Sequence, residues 1–323
     1  MLGTSPQLAP ALARATLAVL GVGALAPACA RHAARERASD LRDAAPLVVA
    51  QGGYGDGGED GGEGGGDRHG DGDGGEVEQH APLAGYAELL ELFDGKDKLG
   101  FVSVPLGARE PRPIMIAIHG GSEKPERACA AWRGVTEAYP FVVCPRGFGG
   151  RESALGWRTT SDTSARIARA VDATKKVFGT WVKPTSTTVL AGFSMGGSQV
   201  ALLAREAPQS YRRIVVGDSA HDPRPALTFS SAWVKGGGER AIFLCTTSGC
   251  EPSFRAAARN VAKEHAPSRL NIAATQVHGL SDAAVQSMRR DFAWLVEGAE
   301  GWASYVAPTG AAPPGRTETF DPN

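Results

Sequence analysis

Missing from this sequence is any basic patch interleaved with aromatic residues: 34 Lys and Arg stand against 35 Asp and Glu, for a net charge of −1. Nothing is therefore in excess to neutralise a phosphate backbone, which excludes nucleic acid as a partner. The N-terminal apolar run, Ala15 to Ala26, falls short of the roughly 20 residues that a helix needs to span a bilayer. Cys129, Cys144, Cys245 and Cys250 lack the C-x-x-C or Cys/His spacing of a metal site. The acidic glycine tract that begins at Gly52 lacks both the period and the aliphatic position of a calcium-binding repeat. No metal or cofactor is called for.

That tract is also poor in anything to bury. From Gly52 to Gly75 there are 14 Gly and 7 Asp or Glu in 24 residues, with Arg68 the one strong cation. Such a composition cannot offset its own ordering entropy and reads as a self-repelling tether. Ahead of it, Arg14 and the short apolar run read as an export signal. Two processing sites compete. Ala28-Cys29-Ala30 offers an A-x-A cleavage site, while Leu25-Ala26-Pro27-Ala28-Cys29 loosely matches a bacterial lipobox that would place a lipid on Cys29. The sequence thus divides into a signal over 1–29, a tether over 30–82, a folded domain over 83–301 and a flexible Pro- and Gly-rich tail over 302–323.

Within the domain, an even number of cysteines in an exported chain suggests disulfides. Three pairings are possible, and sequence neighbourhood favours Cys129 with Cys144 and Cys245 with Cys250. Apolar runs at Phe101–Pro105, Ile114–Ile118, Phe141–Pro145, Thr187–Ala191, Arg213–Gly217, Ala241–Thr246 and Leu270–Val277 alternate with helical stretches, the last of them Asp282–Val296. That alternation predicts an α/β fold: a mostly parallel central sheet with helices on both faces. Phe101–Pro105 reads as an antiparallel edge strand.

The stretch Gly192-Phe193-Ser194-Met195-Gly196-Gly197 stands between a predicted strand and a predicted helix, the context in which G-x-S-x-G forms a nucleophile elbow. Glycines on either side allow the close backbone approach that such a turn forces. His119-Gly120-Gly121-Ser122 follows another buried strand, and its glycines suit backbone N–H groups aimed at an anion. The loop Arg146 to Asp162 carries Phe148 and Trp157, which suit either a substrate pocket, together with His119, or a cover over the core.

Over residues 83 to 301 the sequence resembles an α/β-hydrolase. His119-Gly120-Gly121, Cys144-Pro145-Arg146-Gly147 and Gly192 to Gly197 are similar to exported bacterial esterases and depolymerases related to the phospholipase/carboxylesterase group. The resemblance implies a serine hydrolase acting on a small or polymeric ester, with Ser194 as nucleophile and the N–H groups of Met195 and Gly121 as oxyanion hole. It places the catalytic histidine at His278, directly after the last predicted strand. His265, at a helix end, and His221 are weaker candidates. For the acid it favours Glu251, with Asp218 one strand earlier as the alternative. Two other readings share these residues: a surface binding lipoprotein on a degenerate hydrolase fold, and a serine peptidase of the same fold. If Cys29 carries the lipid, Cys29→Ser releases the protein into the medium; an unmodified N-terminus beginning at Arg31, found by mass spectrometry, is the contrary result.

Overall fold

The computed structural model describes residues 81–149, 155–219, 222–310 and 314–322; the signal, Cys29, nearly all of the tether and His221 lie outside the described residues. A hairpin opens the domain. Strands β1 (Leu89–Asp94) and β2 (Asp97–Ser103) pair antiparallel about Gly95 and Lys96, with Gly95 at φ 60° as a two-residue turn requires. The chain then alternates strands and helices: β3 (Ile114–Ile118), α1 (Pro125–Val135), β4 (Phe141–Pro145), α2 (Thr160–Phe178), β5 (Val189–Phe193), α3 (Met195–Glu206), β6 (Arg213–Gly217), short helices α4 (Arg224–Thr228) and α5 (Ser230–Lys235), β7 (Arg240–Cys245), α6 (Glu251–Lys263), β8 (Ser268–Ala273), α7 (Asp282–Val296) and β9 (Gly315–Phe320).

These strands form one sheet in the order β1-β2-β4-β3-β5-β6-β7-β8-β9. The six strands from β4 to β8 are parallel neighbours, while β2 and β9 add antiparallel to either side. Continuous apolar runs are what a parallel sheet covered on both faces demands. In β3, Ile114, Ile116 and Ile118 point to one face with α2, α3 and α6, whereas Met115 and Ala117 point to the other with α1 and α7. The same alternation sorts Phe141 and Val143 from Val142 and Cys144 in β4.

Helix ends follow local chemistry. Pro125 starts α1, where a missing N–H costs nothing, and Thr159 caps α2 by accepting from Asp162 N at 3.1 Å. The disulfides are Cys129–Cys144, tying α1 to β4, and Cys245–Cys250, closing the turn from β7 into α6.

Two expectations are corrected here. The antiparallel strand expected at the edge, Phe101–Pro105, is β2, which ends at Ser103 and lies inside β1. The tail expected to be flexible from residue 302 instead carries β9, paired along all of β8 from Ser268↔Phe320 to Ala273↔Gly315, so the domain extends beyond 301. Its residues Arg316 to Thr319 are polar and mostly exposed, and Phe320 alone packs on the core, so there is little apolar signal to read; long-range partners hold them. Arg255 clasps Glu318 with two hydrogen bonds of 2.8 and 2.7 Å, and Trp302, buried, donates its indole N–H to Thr187 O at 2.8 Å.

Beneath β9 lies a buried polar knot. Asp291 on α7 accepts from Arg269 (2.9 Å), Asn271 (2.8 Å) and Thr317 (2.7 Å), joining α7, β8 and β9. Removing one partner of a buried charge pair strands the other, so Asp291→Ala is expected to cost about 3–5 kcal/mol of stability. Urea unfolding measures it, and a loss under about 1 kcal/mol shows that the carboxylate is dispensable to the knot.

Candidate active site

The fold is that of the α/β-hydrolases, in which the turn after the central strand presents a side chain at the carboxyl edge of the sheet. Here that turn joins β5 to α3 and carries Ser194 at φ 57°, ψ −123°. A non-glycine residue held there stores strain that the surroundings must over-determine. They do so by close packing. A Cβ on Gly192 would lie 2.4 Å from Gly196 O, and one on Gly196 would lie 2.2 Å from Ile118 O, so only glycine lets β3, β5 and α3 come this close. Ser194 N donates to Gly217 O at 2.9 Å, fixing the turn to the end of β6. A serine before a helix ordinarily caps it, yet Ser194 makes no side-chain cap. Its Oγ lies 2.9 Å from His278 Nε2 instead.

His278 stands in the loop from β8 to α7, with its ring 5.0 Å from that of Phe193. Its Nδ1 is 3.5 Å from Oδ2 of Asp218, which follows β6 and is fully buried. That separation is an ion-pair distance that a hydrogen bond shortens; such contacts commonly tighten when substrate binds. Asp218 Oδ2 also accepts from Thr246 N (3.3 Å), Thr246 Oγ1 (2.8 Å) and Thr247 Oγ1 (2.9 Å), while Oδ1 is buried without a hydrogen-bond partner. Both threonines lie between Cys245 and Cys250, so that disulfide bounds the loop holding the carboxylate.

Glu251, the acid favoured from sequence, is elsewhere. It begins α6, and its Oε1 receives Arg255 and Arg316, both at 2.6 Å. The residue at His278 is the alternative, Asp218. His265 follows α6 at φ 71°, a helix-end position.

The cleft in front of Ser194 has a volume of about 780 Å³ and is lined by the Gly120–Glu123 loop, Arg127 and Gly134 of α1, and Asp282 and Val285 of α7. Met195 begins α3, so its N–H has no acceptor within the helix, and its side chain would meet a Cβ on Gly121 at 3.2 Å. The two residues named from sequence thus pack against each other. Neither Phe148 nor Trp157 lines this cleft. Arg158 and Arg166 lie over the Phe148 ring, and Trp157 donates to His119 O at 2.8 Å.

His119 is corrected as well, being wholly buried rather than pocket-lining. Gly147 N donates to its Nε2 at 2.9 Å, which leaves the proton on Nδ1 to donate to Gly120 O at 2.6 Å. Burial, with Arg146 nearby, lowers its pKa from 6.5 to about 4 against the opposing pull of Gly120 O. Sequence reading missed Glu123, Thr246 and Thr247; the one local signal was a Thr pair directly after a strand that leads into a disulfide loop.

No protein-family model matches the chain, and no curated protein sequence matches it. Among solved structures it is similar to the fluorophosphonate-binding serine hydrolase FphF of Staphylococcus aureus, at 13% identity over 64% of this chain and 98% of that one, TM-score 0.46. It is similar to Est1E from Butyrivibrio proteoclasticus at 15% identity over 64% of this chain and 98% of that one, TM-score 0.45. A carboxylesterase from Mesorhizobium loti aligns at 17% identity over 57% and 90%, TM-score 0.42.

The buried imidazole makes a pH prediction. Because the folded pKa of His119 lies below the unfolded value, the unfolded chain takes up a proton first as pH falls. Stability is lost between about pH 6.5 and 4, by about 3 kcal/mol in all. The wild type should therefore lose about that much more than His119→Gln on going from about pH 7 to about pH 4; parallel stability curves for the two proteins contradict it.

Proposed function

We propose that the chain is a serine hydrolase that cleaves carboxylic esters through an acyl-enzyme on Ser194. A serine hydroxyl is a weak nucleophile at neutral pH and needs a base within hydrogen-bond reach. The observation that carries the reading is the 2.9 Å contact between Ser194 Oγ and His278 Nε2, with Asp218 behind the imidazole.

In this mechanism His278 Nε2 takes the hydroxyl proton as Oγ attacks the ester carbonyl carbon. The carbonyl π pair moves onto oxygen, and the N–H groups of Met195 and Gly121 receive the developing charge. Asp218 holds Nδ1–H and balances the imidazolium, whose proton then passes from Nε2 to the departing alkoxide. Water, deprotonated by the same nitrogen, attacks the acyl-enzyme; collapse returns Ser194 and releases the acid.

The proposed setting is outside the cytoplasm. The signal-like N-terminus and acidic tether support it, as do two disulfides, which persist in oxidising compartments. A lipid on Cys29 would hold the domain at a membrane surface.

Fluorophosphonate labelling with peptide mapping tests the chemistry. The wild type should be modified at Ser194, and Ser194→Ala should lose label and at least about three orders of magnitude in hydrolysis of short p-nitrophenyl esters. An unlabelled wild type, or a Ser194→Ala protein with full turnover, overturns the reading.

A further inference from the structure

The loop from Gly120 to Glu123 passes directly in front of Ser194, and its four backbone N–H groups have unequal fates. Gly120 N donates to the Glu123 carboxylate, Oε2, at 2.7 Å. Ser122 N, in a left-handed turn at φ 58°, donates to Leu155 O at 2.7 Å, and Glu123 N closes back on Gly120 O at 3.3 Å. Gly121 N alone in this loop has no acceptor among the described residues.

Gly120 lies between its own partner and the nucleophile. A Cβ built on it would be 3.2 Å from Glu123 Oε2 and 3.3 Å from Ser194 Cβ. Were the carboxylate absent, Gly120 N–H would become a second unpaired donor beside Ser194. The turn that aims Gly121 would then lose one of its two closing bonds. Electrostatics make the carboxylate a costly neighbour for a forming oxyanion, since like charges in a part-buried site repel strongly.

We infer that Glu123 is a positioning residue for ester hydrolysis: it occupies Gly120 N–H so that Gly121 N–H is the one loop donor presented to the oxyanion, and its negative charge supports the His278 imidazolium. The inference rests on the hydrolase reading above. Geometry carries the first half. Glu123 and His278 both line the cleft, which carries the second. Burial raises the Glu123 pKa above the usual carboxylate value, while the Gly120 N–H, Arg127 and His278 pull it down. The charged groups facing this pair are Arg127 on α1, Asp282 and Arg289 on α7, and Asp218 on the far side of the imidazole. Arg289 is already paired with Glu137 at 2.8 Å, which leaves Arg127 the cation at Glu123's end of the cleft.

Glu123→Gln and Glu123→Ala separate the two halves. Gln keeps an oxygen that can accept from Gly120 N–H and removes the charge; Ala removes both. In Ala, kcat for a p-nitrophenyl ester should fall by about 10- to 100-fold with KM little changed, because a mis-aimed donor weakens transition-state binding alone. The rate of fluorophosphonate labelling at Ser194 should fall in parallel. Gln should restore kcat to within about threefold of wild type. In Gln the acidic limb of the kcat/KM profile should move to lower pH, because a negative charge that favours the imidazolium has gone. Thermal melts establish that each variant is folded, and a misfolded Ala variant leaves Gln and its pH profile as the deciding measurement. Labelling and kcat unchanged in Ala, or a Gln variant with an unmoved acidic limb, overturns the inference while the hydrolase reading stands. A wild type that is neither labelled nor active overturns both, since the loop would then have no oxyanion to serve.

Discussion

The site depends on how closely three backbones approach at the carboxyl edge of the sheet. Gly196, in the first turn of α3, packs on the last residues of β3, and Gly192 at the end of β5 packs on Gly196. That contact decides where the N-terminus of α3 points, and so where its unpaired N–H groups meet the loop after β3. It also holds Ser194 at a φ that its own side chain disfavours. Strain of about 1–3 kcal/mol at one residue is tolerable because the sheet and helix on either side are each secured by many buried neighbours. The capping role that a serine would take at a helix start is given up, and the hydroxyl meets an imidazole instead.

Around that contact, polar groups taken out of water are given defined partners. His119, beneath the Gly120 loop, is held neutral by burial and spends both ring nitrogens on backbone, so it shapes the loop without titrating near neutral pH. Asp218 has three donors on one oxygen from a loop closed by a disulfide. The chain thus uses Cys245–Cys250 for a purpose its loop entropy would hardly justify, since so short a ring constrains the unfolded state little; local geometry at the carboxylate is the gain. The other disulfide joins α1 to β4, and α1 is the helix that forms one wall of the cleft.

The far side of the sheet is held differently. Here β9 adds few apolar contacts and is secured by charge: Arg255, Glu318, Arg316 and Glu251 form a linked set across α6 and β9. Glu251 is therefore engaged in holding a strand, and that commitment removes it from the reach of His278. Partly exposed pairs of this kind are individually weak, and the Asp291 knot beneath supplies the firmer anchor.

Much of this was legible in the linear chain, because the signals were local. Ile114–Ile118 could be read as a two-faced buried strand, the elbow as glycines around a serine, and Asp282–Val296 as an amphipathic helix, since each is encoded by neighbours within one turn or one strand. Cysteine proximity in sequence likewise matched proximity in space. What the sequence could not decide were choices between residues of equal local merit. Glu251 and Asp218 each follow a strand and each begin or precede a helix; only the order of β6, β7 and β8 across the sheet, with the Thr246 and Thr247 hydroxyls turned inward, puts Asp218 beside His278. The partner of Gly120 N–H, the burial of His119 and the pairing of Arg316 to Phe320 with β8 are of the same sort. The sequence by itself determined the strands, the helices and the turn at Ser194, because backbone preference and hydrophobic period act over a few residues. The partner of the His278 imidazole, the loop carboxylate and the last strand were decided by tertiary structure alone, because hydrogen bonds between residues far apart in the chain leave no periodic trace in it.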